Sequence, residues 1–530
     1  MASRTPRSDA AAVVRHLSEA GAPALRAFIE RQRWFAGKAR GLRTARVEDW
    51  SVLREDPPLV LLLIRADETR YFVPVALGQA PADPARTIGP LGGLTLFDAH
   101  WHPTFGTSLL DAIKSRRAFA SAGGSFSLRA GGAVGSRLVG RARPRAGHAT
   151  LGRAEQHLDL LRPALDPQVH QDGRSPASTR TSRCCASSRT AQASGHVPRL
   201  VGWAGYAGQG ETAAVALLQQ FVANTGDGWT HMLTRLGDLC ERLAADNPAD
   251  VEERVAALGV DALGEGHELG AVTGRLHAAL ASDPGPPDFR PEPITGEDVG
   301  RWRRALVADL DRLTAEIAAA SARMPPADRA ALEPLLAARP RIERAAEDLA
   351  LLADGTAHKI RCHGDYHLGQ VLKTAESFVV IDFEGEPARS VDERRAKQCP
   401  LRDVAGMLRS FDYVVHAALA ARPEAGRARL RPALEAWKRL AARAFLSGCM
   451  HGGRQEPGAP PAAIPGGGAA GLRGLRAREG LLRAPLRAQQ PPGLDLNTAG
   501  RDLAPVGVTG GTGRDPWRRR TYHAKKADPR

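Results

Sequence analysis

The sequence predicts an α+β protein: a mixed N-terminal part with strands and hairpins, a mainly helical C-terminal half, and a disordered C-terminal tail. Three observations predict it. A fully apolar run, Leu59 to Ile64, is followed by a polar turn and a second apolar segment, which is strand patterning. Beyond Gly226 the apolar residues recur at helical spacing, as at Leu269, Val272, Leu276 and Leu280, one face of a 3.6-residue period. Beyond Cys449 both patterns stop and Gly, Pro and Arg dominate, a composition that cannot bury enough apolar surface to offset chain entropy.

Taken in order, Val14, Leu17, Leu25, Phe28 and Ile29 predict a helix over 10–36, running into Arg31 to Lys38 (RQRWFAGK). Strands are expected over 59–65 and 70–77 about the turn Ala66-Asp-Glu-Thr69, completing a compact unit near residue 95. A helix over 108–119 and a Gly-rich hairpin and loop over 120–140 follow. Between His157 and Ser194 neither period persists and no aromatic residue occurs. We read this interval, and the chain beyond about 450, as shifted-frame or degenerate segments, with a true low-complexity insertion as the alternative. Ala213 to Phe221 (AAVALLQQF) is expected as a buried strand. Helices are expected over 299–322, 326–354, from Leu401 onward and over 427–447, with a strand over 378–383. The expected organisation is 1–95 as a first domain, 96–222 as an intermediate region and N-terminal lobe, 223–450 as a helical lobe, and 451–530 as the tail.

Composition narrows the function classes. The chain has 530 residues and a net charge of +15, but 451–530 alone hold 14 Lys plus Arg against 6 Asp plus Glu. The excess therefore sits in the segment with the least core-forming material, and nucleic-acid binding is not expected from it. No apolar run approaches the ~20 residues of a membrane span, and the first thirty residues lack a continuous apolar centre. A cytoplasmic location without membrane association is the expectation. Six cysteines without zinc spacing are read as reduced thiols.

The chemistry concentrates in Arg361-Cys-His-Gly-Asp-Tyr-His-Leu-Gly-Gln370 and, eleven residues on, Ile381-Asp-Phe-Glu384. Phosphoryl transfer needs a carboxylate beside the attacking hydroxyl and oxygen ligands that hold magnesium on the phosphates. Asp365, five residues before the amide of Gln370, and Asp382, at the end of a short apolar strand, have the residue types and spacing for those roles. His363 is expected to orient the loop rather than carry protons.

At these residues the sequence resembles the maltokinases. The segments are RQRWFAGK at 31–38, VALLQQFVANTGDGW at 215–229, HGDYHLGQ at 363–370, VIDFEGEPAR at 380–389 and PLRDVAGMLRSFDY at 400–413. The resemblance covers about 1–156 and 196–450. It implies a bilobal protein-kinase-like fold with an N-terminal α+β cap domain, and ATP-dependent phosphorylation of maltose at its anomeric hydroxyl for α-glucan (glycogen) synthesis. It also implies Mg2+ as cofactor and functional coupling to trehalose synthase. Both a monomer and an oligomer are compatible with the sequence. By resemblance Asp365 is the general base, Gln370 and Asp382 are magnesium ligands, and Gln220, Phe221 and Val222 offer backbone groups to adenine. Glu384, Arg402 and Asp403 are candidates for sugar contact; a helix cap or surface pair is the alternative for the last two. The chain departs from the pattern in one respect: it has no lysine from Ser115 to His358, where a kinase places its phosphate-neutralising lysine. Impaired ATP binding is expected of the chain as written. A kinase for another small hydroxyl substrate and a catalytically inactive sugar-binding protein remain the alternatives.

Overall fold

The computed structural model describes residues 10–32, 35, 41–130, 195–208, 211–244, 251–281, 289–321, 336–386, 389 and 391–454. The interval 157–194, the tail beyond 454 and Trp34 lie outside the described residues. The chain begins with two helices rather than one, α1 (Ala10–Ser18) and α2 (Ala22–Arg31). Gly21 and Pro23 divide them. The Gly21 N–H closes on the His16 carbonyl at 2.7 Å, and a Cβ at Gly21 would lie 2.9 Å from that oxygen.

Six strands follow: β1 (Ala45–Arg54), β2 (Leu59–Ala66), β3 (Thr69–Phe72), β4 (Val75–Gly78), β5 (Thr87–Leu91) and β6 (Leu94–Asp98). They form one sheet ordered β1-β2-β4-β6-β5, with β3 paired to β2. The expected hairpin turn is present, Ala66 facing Thr69. The return strand splits at Pro74, which has no N–H to give the ladder. Strand β2 is apolar at every position from Leu59 to Ile64 because both of its faces are covered. Val60, Leu62 and Ile64 pack on α1 and α2, while Leu59, Leu61 and Leu63 face the next layer. Each such fully buried side chain contributes ~1.5–3 kcal/mol.

The next layer holds α3 (Phe105–Lys114) and a second sheet of β7 (Ala118–Ala120), β8 (Gly124–Ala130), β9 (Leu200–Gly208) and β10 (Glu211–Gln219), ordered β10-β9-β8-β7. Helix α3 stops before Phe119, the expected last residue, because Arg116 turns to φ 50° and Phe119 joins β7. A buried carboxylate fastens the two sheets. Asp49 on β1 accepts from Ser121 Oγ at 2.6 Å and from Tyr206 OH at 2.7 Å, and Ser51 Oγ donates to the Ala120 carbonyl at 2.7 Å.

The C-terminal half is helical. It comprises α4 (Gly228–Ala244), α5 (Val251–Leu258), α6 (Val260–Ala281), β11 (Glu292–Pro293), α7 (Gly296–Ser321), α8 (Arg339–Glu347), β12 (His358–Lys359), β13 (Val371–Lys373), β14 (Phe378–Val380), α9 (Val391–Arg395), α10 (Leu401–Ala420) and α11 (Glu424–Arg454). The face Leu401, Val404, Ala405, Leu408, Phe411 of α10 enters the main core with Leu269, Val272, Leu276 and Leu280 of α6, as the helical spacing predicts. Two expectations change in extent. The strand expected over 378–383 ends at Val380, and the described part of 326–354 is α8 with a 3₁₀ turn over Asp348–Ala353. Helix α11 continues through Arg454 and its last turns pack on α6; a Cβ at Gly452 would stand 2.1 Å from the Ala271 carbonyl oxygen. Residues 451–454 therefore belong to the fold and not to the tail. No helix among the described residues is long and apolar enough to cross a membrane.

Candidate active site

The loop from Arg361 to Gln370 runs between β12 and β13 and is shaped by one imidazole. His363 is fully buried; its Nε2 donates to the Ile381 carbonyl at 2.8 Å and its Nδ1 accepts from the Asp365 N–H at 3.3 Å. A carbonyl only accepts and an amide only donates, so the partners fix the neutral Nε2–H tautomer. The ring thereby ties the backbone of Asp365 to the residue preceding Asp382. Asp382 sits at φ 59°, a conformation that Asp tolerates better than most residues. Its Oδ2 accepts from Gln370 Nε2 at 3.0 Å, and the Ile381 N–H donates to the Gln370 carbonyl at 3.0 Å. Asp365, Gln370 and Asp382 are thus gathered at one end of the short β13-β14 hairpin.

A second carboxylate holds this loop from behind. Asp403, in the first turn of α10, is 1% exposed. Its oxygens accept from the His363 N–H at 2.7 Å and the Gly364 N–H at 2.8 Å, and Oδ2 lies 3.1 Å from His277 Nε2. Burial works against the charge, but the hydrogen bond and charge of His277 and the Gly364 amide hold the carboxyl down to about 2. Asp403 was expected at the sugar or as a cap or surface pair; it is none of these, since its oxygens face the loop backbone. Helix α10 can come this close because residue 406 is glycine: a Cβ there would lie 2.6 Å from the Tyr366 carbonyl oxygen. Tyr366 OH in turn donates to Thr273 Oγ1 at 2.8 Å, whose own proton goes to the Leu269 carbonyl.

The electrostatics on the open side are the reverse. Burial pushes the Asp382 carboxyl up, and repulsion from Asp365 adds to it against the Gln370 hydrogen bond. Glu384 is pushed up to about 8, by burial first and by the Asp382 carboxylate second, with Arg394 opposing. Carboxylates crowded into one half-buried space with a side-chain amide form a hard oxygen donor set, and a divalent cation would relieve their repulsion. Asp365, Asp382 and the Gln370 Oε1 atom fit magnesium on that ground. One consequence is measurable without any ligand. An acid that is weaker in the folded state destabilises the fold as pH rises from its unfolded value toward about 8. Glu384→Gln is therefore expected to raise Tm at pH 8.5 and to leave it nearly unchanged at pH 4.5. Equal shifts at both pH values would show that Glu384 is not the titrating group.

The hinge differs in part from expectation. Gln220, Phe221 and Val222 follow β10, but the Gln220 N–H donates to the Arg199 carbonyl at 2.8 Å and the Val222 carbonyl accepts from Asn224 Nδ2 at 2.8 Å. Two of the backbone groups expected at adenine are therefore taken up within the protein. Val222 instead lends its side chain to an apolar patch with Leu372, Val379 and Ile381, beside the Asp382 turn. Arg402 is buried in the first turn of α10, and Glu384 is half-buried beyond Phe383.

Residues 28–101 match the maltokinase N-terminal cap domain, and residues 235–442 match the phosphotransferase enzyme family. The chain carries a maltokinase cap and a phosphotransferase-family domain. Two curated relatives are described as glucosamine kinases. The one from Streptacidiphilus jiangxiensis is 35% identical over 179 residues, 34% of this chain and 36% of that protein. The one from Mycolicibacterium smegmatis is 32% identical over 201 residues, 38% of this chain and 42% of that protein. The match thus spans well under half the length of either relative. A solved glucosamine kinase in complex with glucosamine, ADP and inorganic phosphate shares the fold, with TM-score 0.55, 20% identity, and coverage of 92% of this chain and 99% of that one. A glucosamine kinase in crystal form A superposes with TM-score 0.58 at 21% identity, covering 86% of this chain and 92% of that one.

Within the phosphotransferase-family domain, sequence reasoning missed His277, Thr273 and the bracing role of Asp403. A signal for the first two was present. Thr273 and His277 are four residues apart on α6, polar positions interleaved with the apolar face Leu269, Val272, Leu276, Leu280. Side chains at that spacing share a face, so both had to meet something polar in the core.

Proposed function

We propose that the protein transfers the γ-phosphoryl group of ATP to the anomeric hydroxyl of maltose or a similar small sugar, giving maltose 1-phosphate, a donor for α-glucan and glycogen synthesis. The observation that carries the reading is the tie through His363, which brings the Asp365 loop to Asp382 and Gln370. Asp365 accepts the proton of the attacking hydroxyl. Gln370 and Asp382 hold magnesium, which when bound neutralises charge on the phosphates. The patch of Val222, Leu372, Val379 and Ile381 receives the adenine face, and Glu384 and Arg402 bind sugar hydroxyls by directed hydrogen bonds. Asp403 positions the loop. The maltokinase cap supports maltose as acceptor, while the glucosamine kinases among the relatives favour a second reading, an amino sugar at the same site.

With no lysine between Ser115 and His358, ATP affinity is expected to be weak, with KM at or above the ~1 mM upper end of common values. A coupled ADP-release assay with maltose, glucosamine and glucose tests the reading, the product being identified by mass and by loss of the reducing end. Maltose-dependent release is the expected result. Release with glucosamine alone transfers the assignment to amino sugars, and release with none of the three sinks it.

A further inference from the structure

Helices α7 and α8 have a hydrophobic core of their own, in which Leu306, Leu310, Leu313 and Ile317 meet Ala338, Ile342 and Ala346. They form a two-helix arm. Its root is fixed to the lobe by Val299 and Trp302 and by Lys359 Nζ, which donates to Asp298 at 2.9 Å. Further along α7 a carboxylate is buried: Asp309 is 6% exposed. It faces Arg389. Asp309 Oδ2 accepts from Arg389 Nη2 at 3.0 Å and Oδ1 accepts from Arg312 Nη2 at 2.9 Å.

Arg389 lies five residues beyond Glu384, in the segment that leaves the Asp382 turn. Its N–H donates to the Glu386 carbonyl at 3.0 Å and its Nη1 to Glu393 at 3.2 Å. The Arg389 and Asp309 side chains are 9% and 8% exposed, so solvent screens their attraction little. The segment carrying Glu384 is therefore held at two points, by the Asp382 turn on one side and by the arm on the other.

We propose that Asp309 is a positioning residue for the acceptor side of the site: through Arg389, whose N–H bonds the Glu386 carbonyl, it holds Glu384–Glu386 relative to the two-helix arm and so sets the affinity for the sugar. The inference rests on the reading of Glu384 as a sugar contact. It assigns the arm a part in acceptor binding that the nucleotide does not feel.

The test uses the full chain with Asp309→Asn, Asp309→Ala and the exchanged pair Asp309→Arg with Arg389→Asp. Removing the charge is expected to raise the KM for maltose about tenfold, one lost charge-assisted contact at ~1.4 kcal/mol per decade, with kcat and the KM for ATP within about twofold. The exchanged pair is expected to restore most of the loss. Hydrogen exchange over 383–396 is expected to speed up in the single variants and to slow again in the exchanged pair. Parallel shifts in both KM values, or unchanged exchange over that segment, overturn the inference. A wild-type chain that phosphorylates no sugar overturns the proposed function instead, and the exchange readout then decides the tie by itself.

Discussion

Asp365→Asn is expected to lower kcat by about 10²–10⁴-fold, the usual worth of a positioned general base, while binding of ADP with magnesium persists. An amide cannot take the hydroxyl proton, yet the loop should keep its shape. The Asp365 contribution to loop geometry is its backbone N–H on His363 Nδ1, which the substitution leaves in place. The nearby His367 is not a ready substitute: its Nδ1 accepts from the Gly369 N–H, so in the neutral ring the proton sits on Nε2, which then has no lone pair to offer. Single-turnover ADP release, with calorimetry for nucleotide, checks both halves. Turnover undiminished in the variant removes Asp365 from the chemistry.

The second large effect is on stability. Asp403→Ala is expected to cost about 3–5 kcal/mol, because it leaves the His363 and Gly364 N–H groups and His277 in a buried space without their acceptor. The pH dependence has a definite sign. The carboxyl lies at about 2 against an ordinary 3.8, so the native state binds the proton less tightly than the unfolded chain. The resulting stabilisation, on the order of 2 kcal/mol, is fully present above pH ~4 and is lost as pH falls through 2. Urea unfolding of wild type and Asp403→Asn between pH 2 and 7 reads this directly. The two curves should converge toward the acid end and diverge above it; a constant separation across the range would contradict the assignment.

The parts of the fold legible in the sequence are those where local chemistry and tertiary environment agree. The run Leu59 to Ile64 reads as a buried strand because apolar layers cover both faces. The α10 stripe from Leu401 to Phe411 reads as a core face because it is one. Strand β1 was not anticipated, since Glu48 and Asp49 interrupt its alternation. Their charges are met by Arg65 and Arg70 and by Ser121 and Tyr206, partners distant in sequence. The helix expected over 10–36 ignored the Gly21 and Pro23 punctuation that divides it. Around the site, the loop residues were legible as a cluster because their spacing is local. The role of Asp403 was hidden because its partners stand 39 and 40 residues upstream, and no pattern in the α10 sequence distinguishes a carboxylate aimed at a sugar from one aimed at backbone amides.

The shared core beneath β2 has a mechanical consequence. Leu59, Leu61 and Leu63 of the cap pack with Phe126, Ala204, Tyr206 and Val215 of the second sheet, and Asp49 rivets the two together. Opening the cleft by swinging the cap alone would tear apolar contacts along the whole length of β2. The cap and the second sheet are therefore coupled as one body, and because Leu200, Trp203 and Leu217 of that sheet also enter the main helical core, a load on the cap is passed on to the lobe that carries the catalytic loop.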